Sequence, residues 1–298
     1  MNVLEIRGLE KSFGDKSVLR GLDLSVPEHS IFGFVGRNGA GKTTVMKAIL
    51  GLIAPDNGEI RLLGERVCAG DTFTCHHVGY LPDVPEFYSF MTAREYLTFC
   101  GEIRGMTKKV IAQKCDELLS LVGLVEEKHR IHGYSRGMKQ RLGIASALLG
   151  EPELLLCDEP TSALDPIGRK EILDILLAAK EQTTILFSTH ILSDVERIAS
   201  DVALLHDGKI AMQGAIDTLK SIKSTEEFTV EMKDKEGRDA LASAFTPVNE
   251  VGDMLIFKGD DAKMLEIHKF IGEKHLSLQR IERAERSLES IFWEVTKK

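Results

Sequence analysis

The apolar residues of this chain form two kinds of pattern, which together predict an α/β fold. Residues 31–35, 154–157 and 184–187 are apolar almost throughout, as is typical of parallel strands buried inside a sheet. Leu, Ile, Ala and Met recur at helical spacing over residues 90–150, and a further helix is predicted over 168–180. Buried strands that alternate with helices favour the α/β class.

Shorter β patterns surround these central segments, at residues 3–9, 17–26, 59–63, 202–206 and 209–213. A turn near Phe13-Gly14-Asp15 joins the first two, and Asp207-Gly208, a dipeptide typical of tight hairpins, joins the last two. The beginning of the chain is therefore expected to be rich in antiparallel β-structure.

The pattern weakens around residues 215–226, which predicts a boundary between a domain at 1–220 and a smaller one at 221–298. The smaller domain is expected to be α+β, with strands near 227–233 and 253–258 and helices near 236–245 and 261–274.

Composition narrows the classes of function. Of the 298 residues, 43% are hydrophobic, which is enough for one large and one small core. The net charge of −8 predicts no general attraction to nucleic acid or to acidic lipid. The five cysteines, an odd number without metal-type spacing, fit reduced thiols in a cytosolic protein. We expect neither a signal peptide nor a membrane-spanning segment of about 20 apolar residues, so another chain would supply any membrane part.

The most informative motif lies between the first buried strand and a helix-like run. It reads Gly36-Arg37-Asn38-Gly39-Ala40-Gly41-Lys42-Thr43 and fits the Walker A pattern G-x-x-x-x-G-K-[ST]. Its glycines let backbone N–H groups converge on phosphate oxygens, and Lys42 can reach the β- and γ-phosphates. A glycine-rich turn could match by chance, but the strand–loop–helix setting disfavours that alternative.

Acidic residues end the second buried strand. Asp158 and Glu159 directly follow residues 154–157 and form a Walker B pattern. Asp158 is predicted to hold Mg²⁺, together with the Thr43 hydroxyl, and Glu159 to act as general base on the attacking water. In isolation, the same residues could be an acidic pair on the surface.

Two further motifs fit a site for phosphate chemistry. His190 follows the third buried strand, where it can donate a hydrogen bond to a γ-phosphate oxygen, although a histidine at a strand end is often a simple polar cap. Ser135 and Gly137 open a predicted helix, a second device for binding phosphate. One chain cannot readily aim both devices at the same phosphate, which predicts a site completed by a second subunit.

In this order, the motifs over residues 1–220 resemble those of the ATP-binding subunit of an ATP-binding cassette (ABC) transporter. The resemblance implies a P-loop NTPase fold with a RecA-like core, an antiparallel β-subdomain and a helical subdomain at about 84–150. It assigns residues 134–138 to the signature motif, residues 162–165 to the D-loop and Asp83 to the Q-loop.

The resemblance also implies a full set of site residues. The catalytic residues would be Lys42, Glu159 and His190, and the Mg²⁺ ligands would be Thr43, Asp83 and Asp158. The residues that contact ATP would be Phe13, which stacks on adenine, and Gly36, Arg37, Asn38, Gly39, Ala40, Gly41, Lys42, Thr43, Thr44, Ser135 and Gly137.

Three positions depart from the usual family pattern. Asp83 stands where the Q-loop normally has Gln, and Arg136 replaces a glycine of the signature motif. A carboxylate at position 83 can still ligate Mg²⁺, while Arg136 adds a positive charge of unknown role. Arg37, often proline in relatives, lies at a variable position of the Walker A loop.

The resemblance implies two kinds of partner. The single nucleotide domain implies a dimer, expected to be a homodimer, in which each subunit offers its signature motif to the other's Walker A loop. The aromatic-rich stretch 84–100 is expected to serve both as helical-subdomain core and as a groove for a transmembrane permease subunit. That subunit would hold the chain at the inner, cytoplasmic face of the cell membrane.

The direction of transport is suggested by the end of the chain. The pattern at residues 287–292, Ser-Leu-Glu-Ser-Ile-Phe, resembles the C-terminal extension of ABC-2-type, drug-resistance-like exporters, although such an appendage also occurs elsewhere. The main alternative is a soluble, non-transport ABC ATPase that acts on a ribosome or DNA. The single cassette, the lack of a long coiled-coil insertion and the acidic balance disfavour it. A P-loop kinase or GTPase would have no need of the signature motif or the switch histidine.

Overall fold

The computed structural model describes residues 1–221, 227–251, 254–283, 288–289 and 291–292. Contacts between residues divide the chain into two compact units, Met1–Ile216 and Asp217–Lys298. The C-terminal pattern at 287–292 is described only at residues 288, 289, 291 and 292, because residues 287 and 290 lie outside the described residues. Of the helices in the described part of the chain, none is both long enough and apolar enough to span a bilayer.

The first unit contains strands and helices in an order that matches the predicted α/β class. The strands are β1 (Asn2–Phe13), β2 (Lys16–Pro27), β3 (Ile31–Gly36), β4 (Asn57–Leu62), β5 (Glu65–Arg66), β6 (Val78–Leu81), β7 (Leu154–Asp158), β8 (Thr184–Thr189), β9 (Asp201–His206) and β10 (Lys209–Ala215). The helices are α1 (Lys42–Ile49), α2 (Phe73–His77), α3 (Ala93–Ile103), α4 (Lys108–Leu121), α5 (Arg136–Leu148), α6 (Pro166–Ala179), α7 (Leu192–Ile198) and α8 (Ile216–Ser221), the last of which crosses the boundary between the units.

The central sheet has the strand order β10-β9-β3-β8-β7-β6. All its neighbouring strands are parallel except the β9–β10 hairpin. Every residue of β3, β7 and β8 is buried, as the apolar runs predict. Val35 pairs with Thr189 and Asp158 pairs with Ser188, so these three strands end at the same edge of the sheet. Ligands of open α/β sheets bind at this edge.

A second sheet, with the order β2-β1-β4-β5, is antiparallel throughout. β1 and β2 are joined by a tight turn at Gly14-Asp15, and Phe13 is therefore the last residue of β1. Apolar residues of both sheets and of helix α1, among them Leu4, Phe32 and Val45, pack into one core. This packing places the β1–β2 turn beside the loop that follows β3, since Phe13 and Lys16 line the same cleft as Asn38 and Gly39.

Helices α3, α4 and α5 fill the predicted helical region. Thr92 and Glu95 form a capping box at the start of α3, which satisfies backbone N–H groups that the helix itself leaves unpaired. Gly101 lets α4 approach α3, because a Cβ at this position would lie 2.7 Å from the Ile111 side chain. Residues of these helices such as Leu97 and Leu118 are buried.

The second unit is α+β, with four strands and two helices in the order β-α-β-β-α-β between residues 227 and 283. Its elements are β11 (Glu227–Met232), α9 (Lys235–Ala244), β12 (Asn249–Val251), β13 (Met254–Lys258), α10 (Asp261–Glu273) and β14 (Leu278–Arg283). The strands form an antiparallel sheet with the order β12-β13-β11-β14, which is the ferredoxin-like β-α-β-β-α-β arrangement. Phe228, Leu255 and Phe257 from the sheet pack with Ile267 and Ile271 from α10 in a separate core.

Candidate functional site

The loop between β3 and α1 is shaped by its glycines. Gly39 and Gly41 have φ angles of 80° and 111°, values that side chains with a Cβ rarely adopt. A Cβ at Gly41 would also lie 2.9 Å from the Leu19 side chain. Gly41 precedes α1 without a side-chain cap, so the first N–H groups of α1 have no capping side chain and can bind an anion.

Lys42 lies inside this loop and is only 6% exposed. Its ammonium group donates to the carbonyl oxygens of Gly36, at 2.7 Å, and Arg37, at 3.3 Å. It also lies 3.0 Å from Oε1 of Glu159, which comes from the end of β7. The Ala40 N–H donates to the Arg37 carbonyl at 3.1 Å and closes the turn. The loop thus holds one buried cation at the carboxyl edge of the sheet.

Asp158 accepts hydrogen bonds from two hydroxyl groups. The Thr43 hydroxyl donates to Oδ2 at 2.7 Å, and the Ser188 hydroxyl donates to Oδ1 at 2.5 Å. Asp158 and Ser188 are buried. A hydroxyl and a carboxylate placed together in this way offer the oxygen ligands that Mg²⁺ prefers. Mg²⁺ usually takes few ligands from the protein and completes its coordination with water and phosphate oxygens.

Glu159 has an unusual backbone and a well-held side chain. Its φ of 50° is in the left-handed region, and its N–H donates to both the carbonyl and the hydroxyl oxygen of Ser188, each at 3.1 Å. Its carboxylate lies between Lys42 and Nδ1 of His190, which is 2.9 Å from Oε2. A carboxylate fixed at this edge can orient a water molecule and accept a proton from it.

His190 follows β8, and its side chain is half-exposed. To donate to Glu159, its ring must carry a proton on Nδ1. In the neutral ring Nε2 is then an acceptor, so donation to a phosphate requires either the doubly protonated ring or release of Glu159. The contact with Glu159 therefore limits which ring nitrogen of His190 can donate to a phosphate.

These side chains surround a single cleft of about 510 Å³, a size typical of sites for small ligands. The cleft is lined by Phe13, Lys16, Val18, Asn38, Gly39, Gly41, Lys42, Thr43, Thr44, Asp83, Asp158, Glu159, Ser162 and His190. Phe13 is 52% exposed, and the Lys11 ammonium lies 5.6 Å from the centre of its ring. An exposed aromatic ring beside a phosphate-binding loop can stack on a nucleotide base.

Five of the residues predicted to contact nucleotide do not line this cleft: Gly36, Arg37, Ala40, Ser135 and Gly137. Ser135 caps helix α5, and its hydroxyl accepts a hydrogen bond from the Met138 N–H at 3.2 Å. Ser135 is exposed and Gly137 is partly exposed. Asp83 does line the cleft, and the neighbouring Arg136 contacts it at 3.3 Å.

Two groups that interact with the Asp158 charge stay protonated at neutral pH. Burial raises the pKa of Tyr80 to about 12, with a further contribution from the charges of Asp158 and Asp83. Burial also raises the pKa of the Cys157 thiol above its ordinary value, and the Asp158 carboxylate adds to the effect. Neither group is therefore suited to serve as a base beside Asp158 and Glu159.

Sequence reasoning missed Ser188, Lys16 and Val18. Ser188 is a polar residue within a buried strand, and buried polar side chains usually have a specific partner. That signal was present in the sequence, but the partner, Asp158, lies on the neighbouring strand. Lys16 and Val18 reach the cleft because β2 folds back from the turn after Phe13.

We predict that Ser188→Ala destabilises the edge of the sheet. Loss of the hydroxyl removes the donor to a buried carboxylate oxygen, which should lower the local unfolding free energy by about 1–3 kcal/mol. Hydrogen exchange of the β7 and β8 amides measures this, since two compact units need not unfold together. Ser200→Ala is the matched control, because the exposed Ser200 hydroxyl also has a carboxylate acceptor, that of Asp201 at 2.8 Å, with the Ile31 carbonyl oxygen at 3.3 Å. Equal effects of the two substitutions would contradict the prediction.

The sequence of this chain is similar to those of ATP-binding proteins of ABC transporters. The family model described as "ABC transporter" matches residues 19–162. The uncharacterised ABC transporter ATP-binding protein YxlF of Bacillus subtilis is 43% identical over 234 residues, which are 78% of each chain. The bacitracin transport ATP-binding protein BcrA of Enterococcus faecalis is 38% identical over 296 residues, 97% of this chain and 95% of the relative.

Solved structures of ABC transporter ATP-binding subunits have the same fold as this chain. A structure described as the ATP-binding subunit of an ABC transporter superimposes with a TM-score of 0.65 at 30% identity. It covers 73% of this chain and 92% of its own.

Proposed function

This chain belongs to the family of ATP-binding subunits of ABC transporters, and we propose that it energises export through a separate membrane-spanning subunit. As a member of this family it binds and hydrolyses ATP, and hydrolysis drives transport. The observation that carries the catalytic part of the proposal is the Glu159 carboxylate, held between the Lys42 ammonium and His190 Nδ1 at 3.0 and 2.9 Å.

Several residues of the cleft then have distinct tasks. The Lys42 ammonium and the N–H groups at the start of α1 bind the phosphates and neutralise their charge. Glu159 orients the attacking water and accepts its proton, and His190 stabilises the charge that develops on the γ-phosphate. Phe13 stacks on the adenine. Mg²⁺, when bound by Thr43 and Asp158 with Asp83 nearby, supplies Lewis-acid stabilisation of the phosphate oxygens.

A second subunit completes the site. Ser135 and Gly137 open helix α5 outside the cleft, with the serine exposed. They can bind a phosphate only where another molecule presents one, so a dimer in which each signature motif meets the partner's phosphate loop accounts for both devices. We propose a homodimer, because the two motifs of one chain are then complementary to those of an identical copy.

A role in transport is supported by the relative named for bacitracin transport, and the proposed direction, export, rests on the C-terminal pattern at residues 287–292. The Enterococcus faecalis relative aligns over 97% of this chain, so the match extends into the second unit. We propose that the chain acts at the cytoplasmic face of the membrane, bound to its permease subunit. The net charge of −8 gives no support to a nucleic-acid partner.

Inverted membrane vesicles test the export proposal. Vesicles from cells that express this chain with its membrane-spanning subunit should accumulate labelled bacitracin when ATP and Mg²⁺ are supplied outside. Vesicles with the Glu159→Gln variant are the matched control, since the subunits are still present but hydrolysis is blocked. Accumulation only in right-side-out vesicles that are loaded with ATP and Mg²⁺ would indicate import and contradict the proposal.

Co-purification distinguishes the alternative function. The tagged chain should be recovered from detergent-solubilised membranes in a fixed ratio with a membrane-spanning protein. If it instead sediments with ribosomes in high salt and is missing from membranes, the transport proposal is wrong and the non-transport ATPase is favoured.

A further inference from the structure

Arg136, Asp83 and Ser162 form a cluster at the edge of the cleft. Nη2 of Arg136 lies 3.3 Å from Oδ1 of Asp83 and donates to the Ser162 hydroxyl oxygen, also at 3.3 Å. The Ser162 hydroxyl donates to the same Asp83 oxygen at 2.8 Å. The three residues come from the start of α5, the segment after β6 and the segment after β7, so the Asp83 carboxylate joins three separate parts of the fold.

The backbone of Asp83 is anchored independently of its side chain. The buried amide of Gln140, one turn further along α5, donates to the Asp83 carbonyl oxygen at 2.6 Å. A change of partner at the carboxylate therefore need not displace the main chain. Both the anchor and the guanidinium belong to α5, the helix that begins after Ser135.

The side-chain pair is weak enough to exchange. The Arg136 and Asp83 side chains are 44% and 48% exposed, and an ion pair in that setting is screened by water and contributes little to stability. Asp83 also lines the cleft together with Thr43 and Asp158, whose oxygens fit Mg²⁺. One carboxylate thus contacts a guanidinium and also lines the cleft that contains the predicted cation site.

We propose that the Asp83 carboxylate exchanges Arg136 for Mg²⁺ when Mg²⁺–nucleotide enters the cleft, so that loading of the site releases the guanidinium at the start of α5. The inference rests on the proposed function, because it takes the cleft to be the Mg²⁺–ATP site. It gives Arg136 the role of a positioning residue: the guanidinium holds Asp83 away from the metal until nucleotide arrives.

Equilibrium binding of a fluorescent ATP analogue tests this competition. The quantity of interest is the affinity gain, the ratio of the Kd in EDTA to the Kd in Mg²⁺. Arg136→Gln removes the competitor and should increase this gain about two- to fivefold. In an Asp83→Asn background, the same substitution should leave the gain unchanged, because the contested carboxylate is missing. The ratio cancels any general attraction of Arg136 for nucleotide.

Lys139→Gln is the matched control, since it removes a positive charge from the same helix without touching Asp83. The inference is overturned if Arg136→Gln leaves the affinity gain unaltered. It is also overturned if Arg136→Gln changes the gain as much in the Asp83→Asn background as in the wild-type chain, or if Lys139→Gln increases the gain as much as Arg136→Gln does. Failure of the proposed function looks different: the wild-type chain would then bind no ATP analogue under either condition, and the inference would fall with it.

Discussion

Glu159→Gln is expected to lower the rate of ATP hydrolysis by about 10²- to 10⁴-fold while ATP stays bound. An amide has nearly the size and shape of the carboxylate, and its oxygen can still accept the hydrogen bond from His190 Nδ1. It cannot accept a proton from water. The chemical step therefore loses its proposed base, whereas the Lys42 ammonium and the loop N–H groups that are proposed to bind phosphate remain.

The same variant should accumulate as an ATP-bound dimer. If nucleotide closes two subunits over each other's phosphate loops, blocking hydrolysis removes the step that separates them. Phosphate release measures the first effect, and gel filtration with ATP and Mg²⁺ measures the second. Glu153→Gln is a matched control, because Glu153 also contacts a histidine, His77 at 3.1 Å, but outside the cleft. Only monomer in the Glu159→Gln sample would show that the dimer prediction is wrong.

The central strands could be predicted because strands buried on both faces consist of continuous runs of apolar residues. The apolar runs at 31–35, 154–157 and 184–187 are confirmed as β3, β7 and β8, each fully buried. A strand covered on both faces needs apolar residues at every position, so the signal requires no knowledge of its neighbours.

Other elements depend on tertiary packing and were not predicted. β6 contains Gly79, which weakens a strand pattern but is required because a Cβ there would collide with the Ala147 carbonyl of α5. Helix α7 has only seven residues, and its buried Asp194 is paired with Thr161 and Arg169 from elsewhere in the chain. β14 is a polar edge strand with no alternation of apolar residues.

The motifs of the cleft were visible in the sequence, but their contacts were not. Thr43 and Asp158 are 115 residues apart along the chain, and their 2.7 Å hydrogen bond depends on the order of strands in the sheet. The same holds for Arg136 and Asp83. Each looked like an isolated departure from a family pattern, and only the structure brings the two charges to 3.3 Å.

Lys42→Ala should have a different effect from Glu159→Gln, because it removes binding as well as chemistry. Loss of a charge-assisted contact to phosphate, worth about 1.5–3 kcal/mol, weakens ATP binding about 10- to 150-fold. Hydrolysis at saturating ATP should also fall at least about 10²-fold, since the cation that is proposed to stabilise the developing charge is missing. Titration with a fluorescent ATP analogue gives the affinity, and phosphate release gives the rate.

Lys47→Ala is the matched control for this substitution, because Lys47 lies on the same helix and is exposed. The two cleft variants then separate the tasks of one ion pair. The Lys42 ammonium and the Glu159 carboxylate are 3.0 Å apart, so each loses its partner when the other is replaced. If the pair were only structural, both variants would lower stability alike and neither would separate binding from hydrolysis. If Lys42 binds phosphate and Glu159 activates water, Lys42→Ala weakens ATP binding, whereas Glu159→Gln retains ATP and stops its hydrolysis.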